Sequence, residues 1–304
     1  MTYKVVTYDA GRGARAGIIV DERVFDVAEA TGRQEDASVL GLLADWPSAK
    51  ARLAKLAGTP SSTGMDFKTV RLFAPIPNPG AIFCAGANYA DHVVEMAKAQ
   101  NMAPEPDPHS LGLKSWHFIK TIGCVAGPDE VVELPRRSSK VDWEAELAAI
   151  IGRTAKDVPV ERALDYVAGY TIANDLSARD FTRRAQVPDL SPFKFDWVAH
   201  KCFDKSCPLG PWMIPAEDIG DPQALAITLR VNGVVKQNSN TNVMIFSIAE
   251  QVSHLSEKLT LQAGDVILTG TPAGVGTPRG EFLTAGDDVR ITIEGIGELA
   301  NRMA

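Results

Sequence analysis

Apolar and polar positions alternate along much of the chain with the period of strands, and a few helical stretches lie between them. Residues 3–8 and 16–20 are short β-rich runs joined by the Gly11-Arg12-Gly13 turn, and 24–27 continues the same sheet. Leu40, Leu43, Trp46, Leu53 and Leu56 recur at helical spacing across 38–57, with an interruption around Pro47. The polar stretch 58–64 ends that pattern, and the proline-punctuated segment 71–80 follows as a linker with little helix potential. These breaks divide the chain into a small α+β unit over 1–70 and a larger unit over 71–304. The first carries no recognisable chemistry and reads as a cap or scaffold.

In the larger unit, residues 81–86 form an apolar strand closing on Gly86, and the stretch 87–96 then turns into helix. Residues 116–120 read as a strand ending on Lys120, and 128–135 as a further short apolar piece. Residues 160–167 fit one amphipathic helix, and 168–175 a strand with Asp175 at its C-terminal end. Pro208-Leu209-Gly210-Pro211-Trp212 has the composition of a rigid turn. The clearest hairpin is 226–235, where strands flank Asn232-Gly233, a pair that tolerates positive φ at both central positions. Ser247 with Glu250 makes a capping box for a helix running to Lys258. Residues 265–269 form a strand that empties into the glycine-rich loop 270–276, and the alternating 287–294 is expected to be the final strand.

The chain is organised around residues 141–152, an apolar strand closed by Ile150, Ile151 and Gly152. Side chains two apart on a strand share a face, so Glu144 and Glu146 point one way and Trp143, Ala145 and Leu147 the other. Two carboxylates in an apolar strand are costly to desolvate unless a cation neutralises them, and a hard divalent ion suits an all-oxygen pair. The other reading is an edge strand with both glutamates in water. Asp175, where a strand meets a polar loop, is a plausible third oxygen ligand, and Arg179 lies near enough in sequence to reach an anionic substrate there. His92 and Glu95 are three apart on a helix, the spacing of a carboxylate-oriented general base or of an ordinary surface pair. The polar, proline-rich stretch 100–115 begins just past that helix and is a candidate lid. The loop 270–276 lacks the Gly-Lys-Ser/Thr ending of a phosphate loop, and no amphipathic helix follows it. Its glycines either bring backbone N–H groups to a small anion or simply make a tight turn.

Composition excludes more than it selects. A formal charge of −7 with no Lys/Arg cluster argues against a nucleic-acid partner. No apolar run is long enough to span a membrane, and the N-terminus lacks a charged-then-apolar signal pattern. Cys84, Cys124, Cys202 and Cys207 show neither C-x-x-C spacing nor scaffold density, so reduced thiols and a cytoplasmic location are expected.

Four separated motifs then resemble the fumarylacetoacetate hydrolase family, in its acylpyruvase and 2-hydroxyhepta-2,4-diene-1,7-dioate isomerase-like branch. They are residues 86–95 (GANYADHVVE), 143–146 (WEAE), 174–180 (NDLSARD) and 269–276 (TGTPAGVG), inside a likeness covering roughly 72–302. The resemblance implies a mainly β fold with some α, a mixed β-sandwich roll with a small N-terminal domain, and a homodimer. It implies Glu144, Glu146 and Asp175 as ligands of Mg²⁺, Mn²⁺ or Ca²⁺, and a His92–Glu95 dyad that activates water. It also implies Lys201 as a catalytic lysine and Arg179, Lys120 and Thr271 as substrate contacts. Many members have glutamine where this chain has Thr182, and the 100–115 loop is longer than the usual lid, so the substrate pocket departs from the family pattern. The implied reaction is hydrolysis of a C–C bond in a 2,4-dioxo acid, such as a fumarylpyruvate-like, maleylpyruvate-like or sugar-derived compound, to pyruvate and a second acid. Oxaloacetate decarboxylation and 2-hydroxydienoate isomerisation or hydration use the same metal–enolate chemistry. A ligand-binding protein without catalysis is disfavoured by retention of the acid–base set.

Overall fold

A computed structural model describes residues 2–60, 63–103 and 105–304. Ser61 and Ser62 of the polar stretch 58–64, and Pro104 of the 100–115 loop, lie outside the described residues. One large sheet runs through the molecule in the order Met65–Asp66, Arg23–Asp26, Arg15–Val20, Lys4–Asp9, Cys207–Pro215, Val167–Asn174, Ala145–Ile151, Val266–Leu268, Ile82–Ala85, His117–Lys120. A second sheet is built from Val234–Asn240, Ala226–Val231, Asp288–Ile293, Gly297–Met303 and Val131–Val132. The mainly β architecture with some α expected from the sequence is what the chain adopts.

The central strand Ala145–Ile151 explains the layering. Trp143, Ala145, Leu147, Ala149 and Ile151 pack with Ile227, Leu229, Ile291 and Leu299 of the second sheet and with Val252 and Leu255 of the helix Ile248–Lys258. Ala148 and Ile150, on the opposite face, pack with Val5, Ile18, Leu42, Leu53 and Met213. A strand buried on both faces needs apolar residues at nearly every position, which is why its second half shows no polar alternation. Residues 1–70, expected as a separate unit, contribute their strands to the same sheet, Val5 pairing with Met213, and their helices Val39–Ala44 and Trp46–Gly58 to the same core.

Several elements differ from the sequence expectation. Residues 208–212 are no turn but part of the nine-residue strand Cys207–Pro215, in which Pro211 falls where the register with Val167–Asn174 shifts. Proline is tolerated in a sheet at such irregularities. The final strand is Gly297–Met303, which pairs antiparallel along Asp288–Ile293. Val160–Tyr166 forms a 3₁₀ helix instead of an α-helix. Pro47 does not break a long helix from within; the break is at Asp45, and Pro47 sits in the first turn of the second helix, where its missing N–H costs nothing. The Asn232-Gly233 hairpin has φ of 51° and 79° at its central residues, as expected.

Candidate active site

The antiparallel pair Ala145–Ile151 and Val167–Asn174 positions three acids. Ala145 stands opposite Asn174, so Glu144 and Asp175 are neighbours just beyond the paired ends. The Asp175 N–H donates to the Glu144 carbonyl at 2.9 Å, and the Glu144 N–H donates to Asn174 Oδ1 at 3.0 Å. Glu144 and Glu146 leave the strand on the face that continues into Ala148 and Ile150, as the alternation required. The three carboxylates are 6%, 1% and 1% exposed for Glu144, Glu146 and Asp175, and each offers an oxygen within 4.8 Å of the others'.

Their charges are compensated unequally. Lys201 Nζ donates to Glu144 Oε2 at 2.9 Å and to Asp175 Oδ2 at 2.6 Å. Arg179 lies 2.7 Å from Glu144 Oε1 and donates from Nε to Asp142 at 3.0 Å. Ser177 Oγ adds a 2.7 Å bond to Glu144. Burial pushes the Glu144 carboxyl up, but Lys201 and Arg179, with Ser177, outweigh it and hold the group below the usual carboxylate range. Glu146 has no ion pair among the described residues; its one donor is the Gly270 N–H at 2.6 Å. Burial, then the Asp175 and Glu144 carboxylates, raise it well above the usual range. A buried set of three hard oxygen donors with one charge left uncompensated fits a divalent cation, so the triad can hold a metal ion.

Lys120 stands elsewhere than the resemblance implied. Its ammonium has no exposure; it lies 2.8 Å from Asp175 Oδ1 and donates to the carbonyls of Leu176 and Ser206 at 3.0 Å and of Lys201 at 2.5 Å. It fixes Asp175 and the backbone of Lys201 from behind and does not line the cavity.

The opposite wall is the helix Ala90–Ala99. His92 is half-buried, and its Nδ1 is enclosed with no hydrogen-bond partner. Burial lowers its pKa from the ordinary histidine value, Glu144 opposing and Arg179 assisting, so the ring is neutral at pH 7. The expected His92–Glu95 hydrogen bond is absent among the described residues. Glu95 Oε2 instead accepts from the Gly274 N–H at 2.7 Å, and Asp91 accepts from His92 N, Ser239 Oγ and Ala273 N at 2.7, 2.8 and 3.2 Å. The Ala273 and Gly274 N–H groups of the glycine-rich loop are thus taken up by acids of this helix. Gly270 at the loop's start has φ of +99°, and a Cβ there would lie 2.7 Å from Asn88 Cβ, so both conformation and space demand glycine. Thr271 lines the cavity, its hydroxyl accepting from Gln237 Nε2 at 2.8 Å.

Between the walls lies a cavity of about 150 Å³ bounded by His92, Glu144, Arg179, Lys201, Thr271 and His200, with Trp116, Phe118 and Trp197 at one side. The 100–115 loop lines a neighbouring hollow with its part from 105 to 114. It is tied to the helix Ile248–Lys258 through His109 Nε2 and Glu250 at 2.9 Å, Lys114 and Glu257, and Ser115 Oγ and His254 Nδ1 at 3.0 Å.

The family pattern described as fumarylacetoacetate (FAA) hydrolase C-terminal matches residues 81–304. The chain belongs to the fumarylacetoacetate hydrolase family. Among its relatives is the mitochondrial oxaloacetate tautomerase fahd2 of Xenopus laevis, 42% identical over 234 residues, which are 76% of this chain and 68% of that one. Among solved structures, the fumarylacetoacetate hydrolase of Exiguobacterium antarcticum superposes with a TM-score of 0.77 at 32% identity, covering 99% of both chains. The maleylpyruvate hydrolase of Sphingobium sp. SYK-6, in complex with manganese (II) ion and pyruvate, gives 0.75 at 27% identity, covering 99% of this chain and 98% of that one.

In this family member the sequence reading missed four residues that shape the site. Asp142 accepts from Gly276 N, Thr277 N and Arg179 Nε, joining the glycine loop to the arginine. Asn88 donates to the carbonyls of Phe246 and Thr269, and Gln237 accepts from Ala145 N while donating to Thr271 and Pro272. What these side chains do depends on partners far away in sequence, which spacing along the chain does not reveal. His200 is the fourth.

Proposed function

We propose that this enzyme moves a proton at the carbon next to the 2-oxo group of a small dicarboxylic 2-oxo acid, interconverting the keto and enol forms of an oxaloacetate-class substrate. The observation that carries the reading is the His92 ring on the cavity wall beside Glu144, its enclosed Nδ1 unpartnered while Glu95 is committed to Gly274. A lone neutral imidazole suits taking a proton from carbon and returning it to oxygen. It lacks the oriented carboxylate that water activation asks for. The relative named as an oxaloacetate tautomerase supports the same choice.

Glu144, Glu146 and Asp175 would hold Mg²⁺ or Mn²⁺, with Ca²⁺ as a further candidate. When bound, such an ion draws electron density from a 2-oxo carboxylate and acidifies the adjacent C–H. His92 removes the C3 proton and, as imidazolium, delivers it to the C2 oxygen, so atoms and charge balance. Lys201 and Arg179 supply positive potential to the oxygen that gains charge, and Thr271 donates to the substrate carboxylate. Lys120 keeps Asp175 and Lys201 in place.

Hydrolysis of an acylpyruvate is the second reading, favoured by the likeness to maleylpyruvate hydrolase. It requires Glu95 to leave Gly274 and orient His92. Exchange of the C3 hydrogen of oxaloacetate for deuterium, followed by proton NMR with the Mn²⁺- or Mg²⁺-loaded enzyme, tests the first reading. Pyruvate release from acetylpyruvate outrunning that exchange would replace it with the second.

Exposed apolar side chains such as Phe193, Val198, Ile119 and Ile122, 68%, 68%, 61% and 48% exposed, support a homodimer, checked by sedimentation. No described helix is long and apolar enough to cross a membrane; work in the cytoplasm belongs to the proposal.

A further inference from the structure

The short helix Trp197–Lys201 opens on Asp196, whose carboxylate accepts from the Ala199 N–H at 2.9 Å. Lys201, its last residue, reaches Glu144 and Asp175. His200, one position earlier, is 3% exposed and bounds the same cavity. Neither of its ring nitrogens has a partner among the described residues. Elsewhere in the site the polar groups are heavily used: Lys201 and Glu144 pair with each other, Arg179 with Asp142 and Glu144, and Thr271 with Gln237. Burying both nitrogens of an imidazole without a partner costs free energy that a phenylalanine or leucine would avoid. The ring therefore calls for a ligand that arrives with the substrate.

The surroundings say what kind of ligand. Burial, then Lys201 and Arg179, push the His200 pKa down to about 2, so the ring is neutral and offers one N–H and one lone pair. A ring N–H with no partner inside a polar cavity favours an oxygen acceptor over an apolar tail. Trp197, its ring 5.6 Å from the imidazole, stands beside it on the same helix.

We infer that His200 is a substrate-binding residue, its ring N–H donating to a carboxylate oxygen of the bound 2-oxo acid. This rests on the function proposed above for the acid, but not on the proton transfer itself. A dicarboxylate that fits without reacting would use the same contact.

The test uses the full chain loaded with Mn²⁺, comparing wild type with His200→Ala, His200→Phe and His200→Gln. Binding of L-malate, an unreactive four-carbon dicarboxylate, is measured by calorimetry, and KM and kcat for oxaloacetate alongside it. The expected result is a rise of about 10- to 100-fold in the malate Kd and in KM for His200→Ala and His200→Phe, the loss of one hydrogen bond to a charged group. His200→Gln, which keeps an N–H donor, recovers part of that loss. Values of kcat stay within about twofold and Tm is unchanged or higher, since a strained buried group has gone. Malate binding and KM unchanged in His200→Ala and His200→Phe would overturn the inference and leave the ring a packing element. If oxaloacetate is not enolised but malate binding still weakens, His200 stands and the proposed reaction falls.

Discussion

On the sheet side of the site, acids hang from paired strands whose backbone and side-chain groups are nearly all bonded; on the other side, His92 rides on a helix with no buried residue. Glu144 and Asp175 are gripped by Lys201, Lys120, Arg179 and Ser177. The helix Ala90–Ala99 is held to the glycine loop by acid-to-amide contacts from Asp91 and Glu95. The difference separates two requirements. A cation site needs oxygens fixed before the ion arrives, whereas a base must follow the proton it moves. Polar latches let it do so without disturbing the core.

The largest effect should come from the rigid wall. Glu146→Gln is expected to lower Mn²⁺ affinity by at least about 100-fold, more than supporting residues usually cost, measured by calorimetry. In the metal-free protein the same change should raise Tm, because it removes the carboxylate that nothing compensates, while Glu144→Gln lowers Tm by stranding Lys201 and Arg179. Tm changes of the same sign in both variants would erase the contrast between the two glutamates.

On the helix wall, His92→Ala should cut turnover by about 10²- to 10⁴-fold with metal affinity untouched. Because burial lowers the His92 pKa, the wild-type rate should stay level down to pH 6.5 and fall only below it, as the ring gains its proton. A kcat profile whose acid limb lies above pH 6.5 would remove His92 as the base. Between the walls, Gln237→Ala leaves the Ala145 N–H and the Thr271 hydroxyl without their partner and is expected to cost about 1–3 kcal/mol in urea unfolding. An unchanged midpoint would mean that water replaces the amide.

The smallest effect concerns the loop tether. Glu250 raises the His109 pKa, burial opposes it, and Asp107 adds to the rise, with a net upward shift. A group whose folded pKa is raised contributes its stability below its unfolded pKa and loses it as pH rises through the folded value. Cleavage of the 105–113 stretch by protease should therefore quicken as pH climbs past the ordinary histidine value, and Glu250→Gln should remove that dependence.

The acids were legible because alternation puts Glu144 and Glu146 on one face wherever the strand pairs, and because Asp175 ends a strand. The hairpin at Asn232-Gly233 and the box at Ser247 were legible for a similar reason: each is a local rule with local partners. Cys207–Pro215 was misread because its prolines and glycine outvoted its burial, which only the neighbouring strands supply. Gly297–Met303 escaped because Asn301, buried and donating to Gly127 and Glu130, looks like a surface residue in sequence. His92 and Glu95 have the right spacing for a pair, yet spacing says nothing of a competing amide at Gly274. His200 carries no signal at all, since its meaning lies in lacking a partner.

Lys4–Asp9 lies along the flank of Cys207–Pro215, and that arrangement has a practical side. A chain trimmed to start at residue 72 would strip the neighbour from that long strand and bare the apolar surface of Met213 and Leu209. The freed backbone would then be a template for copies of itself, and the shortened protein would gather into aggregates before its chemistry could be assayed.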